Sequence, residues 1–265
     1  MTGATGEPVR QRPNASVSRW PSPIFVGLVL ATMVSGWALW TRTGPAGLGA
    51  FVFVACAWVV SLCLHEFAHA VVAFRSGDRS VAERGYLTLD PLKYTHFAYS
   101  ILLPLLFVLL GGIGLPGGAV FIDRRRLRSR FSDSLVSFAG PLTNIIFAAV
   151  LAIVFTVWGV GDAEHVRFWA ALAFLTFLQV TAAVLNSLPV PGLDGFGVLE
   201  PYLPNKVLRQ VAPIAPYAVL LLFVLLWIPP VNQAFFGIIR WFLELLGVPG
   251  DYIIVGQSLF QFWLG

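Results

Sequence analysis

The sequence predicts an all-α polytopic membrane protein: about five to six transmembrane helices plus a re-entrant hairpin with short β-strand character. Three observations carry this prediction. Of 265 residues, 57% are hydrophobic and only 11% charged, against about 25% charged in soluble domains, and the mean hydropathy is +0.80. Six runs carry no charge: Trp20–Thr41, Thr43–Leu64, Tyr94–Ile122, Ser134–Gly161, Phe168–Leu193 and Gln210–Ile239. Each reaches or exceeds the roughly 20 residues that cross about 30 Å of hydrocarbon as helix. Finally, the basic residues sit in the loops between runs, where they set orientation. The net charge of +4 therefore gives no reason to expect a nucleic-acid partner; the lipid bilayer is the expected surrounding.

Residues 1–22 are polar and rich in Pro and Ser, and are expected to form a flexible cytoplasmic N-terminus. The run that follows is longer than a signal-peptide core and has no convincing small-residue cleavage site, so it is expected to be a retained first helix. It would deliver Arg42 outside. The second run returns inward to a loop carrying Arg75, Arg79, Arg84 and Lys93. A single crossing by Tyr94–Ile122 would strand Arg124, Arg125, Arg126, Arg128 and Arg130 outside, and two crossings need about forty residues. A hairpin resolves this: "ILLPLLFVLL" enters, "GGIGLPGG" turns, and strand-like "GGAVFID" leaves on the same side. Such irregular backbone must be sheltered by protein or a watery cavity. The last three runs then cross outward, inward and outward. This arrangement puts fourteen basic residues in the cytoplasm and three outside. The expected organisation is a membrane domain over 23–230, with its core at about 45–200, and an amphipathic C-terminal segment over 231–265.

Chemistry concentrates in "SLCLHEFAHA", Ser61–Ala70. His65 and His69, four apart, project from one helical face and can hold one ion between them. Glu66 lies about 100° round the helix, placed to serve as a general base toward a metal-activated water without being a ligand. Ionisable groups are costly in a membrane helix, and three together mark a functional site. Catalytic zinc takes three protein ligands. Asp194, in "NSLPVPGLDGF", closes an inward-going run at the depth of His65; the alternative for it is a carboxylate capping a Pro- and Gly-rich turn. His, His and carboxylate suit zinc best, with cobalt or iron as alternatives. Cys56 and Cys63 lie on one helix and form no disulfide framework. His96 is expected in a loop or at the interface, and His165, beside Asp162 and Glu164, on the outer surface.

Together, H-E-F-A-H in a membrane helix, "FAGPLTN" and N-x-x-P-x-P-x-x-D-G resemble the site-2 protease family of intramembrane zinc metalloproteases, peptidase family M50, in the family's order. The resemblance covers about residues 45–200. It implies one Zn2+ per chain held by His65, His69 and Asp194, with Glu66 activating water. It also implies that Asn186 contacts the substrate backbone or developing oxyanion, and that Gly140 and Asn144 support the site. No stretch is long enough for the PDZ or CBS domains of many relatives, so a compact form is expected.

The implied activity is an endopeptidase cutting within or near transmembrane segments, in regulated intramembrane proteolysis, at a multi-pass cell-membrane site nearer the cytoplasmic face. The implied partner is a transmembrane protein substrate, such as an anti-sigma factor. A peptidase that clears signal peptide remnants is the alternative within the same chemistry. A non-catalytic metal-binding or transport protein is the alternative outside it; a transporter would spread ionisable residues through several helices.

Overall fold

The computed structural model describes residues 21–94 and 120–264. Helix α1, Pro23–Trp40, begins where Ser22 accepts the Phe25 N–H at 3.1 Å and Pro23 supplies a preset φ at the first helical position. Helix α2, Ala46–Ser76, continues well past the second uncharged run, so the His65–His69 stretch lies inside an unbroken helix. Helix α3, Arg130–Val154, is capped by Ser129 and prolonged by a wider turn over Phe155–Gly159. Helix α4, Val166–Asn186, stops before the run it belongs to is exhausted, because Pro189 and Pro191 cannot continue a helix. Asp194 therefore opens a separate short helix, α5 (Asp194–Leu199), and does not end α4.

The run Gln210–Ile239 does not form one crossing helix. It is divided among α6 (Asn205–Val211), α7 (Ala215–Leu226) and α8 (Pro229–Leu245), with a 65° bend between α6 and α7. Pro213 and the Pro229–Pro230 pair lie at the two breaks, where each removes a backbone donor. Among the described residues four helices, α1 to α4, are long and apolar enough to cross a membrane, or five spans if the bent pair counts as one. Most of the expected hairpin, with His96, lies outside the described residues. Its described part, Val120–Asp123, is irregular, and no strand occurs among the described residues. The Val120 N–H is bound by a side chain and not by a neighbouring strand.

Packing assigns α4 to the centre. It is almost entirely buried, touching α2 and α3 along its length. Its many alanines let neighbouring backbones approach closely, as membrane helices require. Its polar middle reaches across the interface, where Gln179 Nε2 donates to Ser61 Oγ at 2.8 Å while Gln179 Oε1 is buried without a partner among the described residues. By contrast, α1 and α7 turn Leu30, Met33, Val34, Leu220, Leu221 and Val224 outward. Exposed apolar surface of this extent is lipid-facing. The chain is thus a multi-pass membrane protein. The last helix, α9 (Gly250–Phe260), packs into the bundle against α2 and α4, with Phe260 fully buried beside Phe51 and Phe174.

Candidate metal centre

Helical geometry alone stacks His65 on His69, and the fold then aims them. Their ring Nε2 atoms lie 3.1 Å apart. Both rings are buried, and each is held from behind through Nδ1. His69 Nδ1 is 2.6 Å from the Val136 carbonyl oxygen and His65 Nδ1 is 2.8 Å from Asn144 Oδ1, both on α3. A carbonyl oxygen can only accept, so His69 must donate from Nδ1, which in the neutral imidazole leaves Nε2 with a free lone pair. The Asn144 contact does the same for His65.

The third group arrives from α5. Asp194 Oδ2 is 3.2 Å from His65 Nε2, and its Oδ1 is 3.4 Å from His69 Nε2. The two imidazole Nε2 atoms and a carboxylate therefore face one another in a largely buried space, an arrangement that a cation between them would satisfy. His65, His69 and Asp194 form a group that can hold a metal ion, with one ligand atom from each within 4.8 Å of the others. Zinc–ligand bonds of 2.0–2.1 Å in tetrahedral geometry place neighbouring ligand atoms about 3.3 Å apart. The observed separations match that edge, so the donor set fits zinc.

Glu66 is 2% exposed, and its Oε2 accepts the Val120 N–H at 3.1 Å. Gly140 lies against the two imidazoles: a Cβ there would overlap His65 Nε2 and His69 Nε2. Only glycine lets α3 approach the site this closely. Asn186 is buried at the end of α4, and the loop after it leads to Asp194. The structure thus brings His65, Glu66, His69, Asp194, Gly140 and Asn144 together. Two participants escaped sequence reasoning, the Val136 carbonyl and the Val120 amide. Both are backbone groups, which every residue carries, so no residue type could signal them. His165 is half-buried rather than on the surface: its ring stacks on Trp40 at 3.6 Å, and Nδ1 meets Asp162 Oδ2 at 2.7 Å.

The sequence profile described as Peptidase family M50 matches residues 53–167, which include His65, Glu66, His69, Gly140 and Asn144. The chain is 44% identical over 248 residues to the candidate zinc metalloprotease Rip2 of Mycolicibacterium smegmatis, covering 92% of this chain and 94% of the relative. It is 46% identical over 247 residues to Rip2 of Mycobacterium tuberculosis, with the same coverage. With the candidate zinc metalloprotease YwhC of Bacillus subtilis it shares 29% identity over 187 residues, covering 66% of this chain and 80% of the relative. No solved structure matches the chain significantly. Near-full-length similarity to these relatives, with the paired histidines inside the matched region, establishes that the chain belongs to peptidase family M50.

Proposed function

We propose that the protein is an intramembrane zinc metalloendopeptidase that hydrolyses peptide bonds within or near transmembrane segments of membrane proteins. The observation that carries this reading is the convergence of the two imidazole Nε2 atoms and the Asp194 carboxylate beside a buried glutamate whose Oε2 accepts a backbone N–H. His65, His69 and Asp194 would hold one zinc ion. When bound, zinc supplies a Lewis acid that lowers the pKa of water and polarises a peptide carbonyl. Glu66 takes the proton from the attacking water as its oxygen bonds to the carbonyl carbon, and delivers that proton to the leaving nitrogen as the C–N bond breaks. Asn144 and Val136 fix both imidazoles in the tautomer that presents Nε2. Gly140 leaves room for them, and Asn186 contacts the substrate backbone or the developing oxyanion.

Intact helices shield their peptide bonds, so the substrate must be extended where it is cut. An extended substrate pairing alongside residues 120–123 would supply that conformation. Replacing Phe121 by proline should then abolish cleavage while leaving zinc bound. Orientation follows the arginine-rich loops, which place the N-terminus and the metal end of the bundle toward the cytoplasm.

The substrate is a membrane protein; a tethered regulator such as an anti-sigma factor is the proposed class. A substrate trap made with Glu66→Gln separates such a regulator from signal peptide remnants. A transporter reading is disfavoured because the buried ionisable residues of α2 gather at one depth and do not line a path. In the direct test, the purified protein should cleave a model transmembrane substrate, lose that activity with a chelator and regain it with zinc. Cleavage that survives full chelation would contradict the reading.

A further inference from the structure

Just beyond α2, Asp78 is 0% exposed. Its Oδ1 accepts from Ser80 N at 3.0 Å and Ser80 Oγ at 2.6 Å, while its Oδ2 accepts the Asp123 N–H at 2.8 Å. No Lys, Arg or His pairs with it among the described residues. A turn-forming aspartate of this kind ordinarily sits in water, where the local Ser80 bonds suffice. Burying the carboxylate without a cation is costly, and the bond it gains reaches a backbone amide far along the chain. That amide belongs to the same segment whose Val120 N–H binds Glu66 Oε2 at 3.1 Å.

The attachment of this segment to α2 continues beyond Asp78. The Ser76 carbonyl accepts the Arg128 N–H at 3.1 Å. Between them, Gly77 has φ +125°, and a Cβ on it would come within 2.6 Å of the Arg126 carbonyl oxygen. Residues 120–128 are thus fastened along the end of α2 at Glu66, Asp78 and Ser76. Of these three, Asp78 is the only side chain without a place in the chemistry described above.

We propose that Asp78 is a positioning residue for the hydrolytic site. By holding the Asp123 amide, it keeps the Val120 N–H on the Glu66 carboxylate and so fixes the direction in which Glu66 meets water. The proposal rests on reading Glu66 as the base. It concerns how that carboxylate is held, not whether zinc binds.

The test uses the full chain, zinc-loaded, on a model transmembrane substrate. Asp78→Asn keeps the size and an acceptor for Ser80, but turns its NH2 toward the Asp123 N–H. Asp123→Pro removes the same bond from the other side: φ at Asp123 is −81°, within the range proline adopts. Asp123→Ala, which keeps the N–H, is its reference. Asp78→Asn should lower kcat about tenfold against wild type, and Asp123→Pro by a similar factor against Asp123→Ala. The double variant should be no worse than either alone, because both remove one bond. Zinc content should stay at one per chain, and amide exchange should accelerate in a peptide spanning 120–126 but not in peptides from α3 or α4.

Unchanged kcat in both comparisons, or losses that multiply in the double variant, would overturn the proposal. If Asp78→Asn does not fold, the comparison at position 123 decides alone. An active Glu66→Gln enzyme overturns the base itself, whereas an inactive Glu66→Gln alongside a fully active Asp78→Asn overturns only the positioning role.

Discussion

Two histidine–aspartate clusters sit at opposite ends of the bundle, and only one is built to take a metal. At the end where α4 begins, His165 Nδ1 lies 2.7 Å from Asp162 Oδ2, closer than either histidine approaches Asp194 at the end where α4 finishes. Yet Asp162 is already committed: Oδ2 also accepts from Trp169 Nε1 at 2.9 Å, and Oδ1 accepts the backbone N–H groups of Glu164 and His165. The His165 ring spends its face on Trp40. That cluster closes the turn before α4 and ties it to α1. Around His65, His69 and Asp194 the commitments are reversed. Nδ1 of each histidine is engaged from behind, and the Nε2 atoms and the Asp194 carboxylate are left facing one another. The same residue types make a staple or a metal site according to which lone pairs remain unspent, and proximity alone does not distinguish them.

That contrast can be broken most severely by removing a donor from the Asp194 cluster. His65→Ala or Asp194→Ala should abolish zinc binding and lower cleavage by several orders of magnitude, measured by metal analysis and by proteolysis of a model substrate. Gly140→Ala leaves every donor in place but drives a methyl group into both imidazoles, so a similar loss of metal is expected. An enzyme that tolerates this alanine would show that α3 is not closely fitted to the site. Asn144→Ala removes only the partner that orients His65, and zinc affinity should weaken about 10–100-fold, read by competition with a chromogenic chelator.

The smallest effect should come from the Asp162 cluster. Hydrogen bonds from Trp169 and then His165 hold the Asp162 carboxyl below its ordinary value of 3.8. A depressed carboxylate stabilises the fold above its unfolded value, and that contribution is lost as pH falls through the folded value. Asp162→Asn should therefore leave zinc content and cleavage unchanged and lower the unfolding midpoint by about 2 °C at neutral pH. The difference from wild type should vanish only well below pH 3.8.

Much of this arrangement was legible in the sequence, and the remainder was hidden for identifiable reasons. Uncharged length placed α1 to α4, because lipid imposes that composition on any crossing helix. The same criterion failed over Gln210–Ile239, where Pro213 and Pro229–Pro230 break a run that hydropathy alone treats as continuous. The insertion of α9 between α2 and α4 was unreadable, since an amphipathic pattern does not name the surface it meets. In the site, the spacing of His65 and His69 fixed a shared face, and Asp194 stood out as an acidic residue closing an apolar run at the depth of His65, although its Pro- and Gly-rich surroundings fitted a capped turn as well. Asp78 was passed over, because an aspartate in "SGDRS" reads as an ordinary turn until its burial and its bond to Asp123 are seen.

The central claim is that the site separates metal holding from proton transfer, with His65, His69 and Asp194 doing the first and Glu66 the second. The most direct measurement pairs zinc content with single-turnover cleavage in purified Glu66→Gln. One zinc per chain with no cleavage is the predicted result. Cleavage at the wild-type rate, or loss of the zinc together with the activity, would contradict that division of roles.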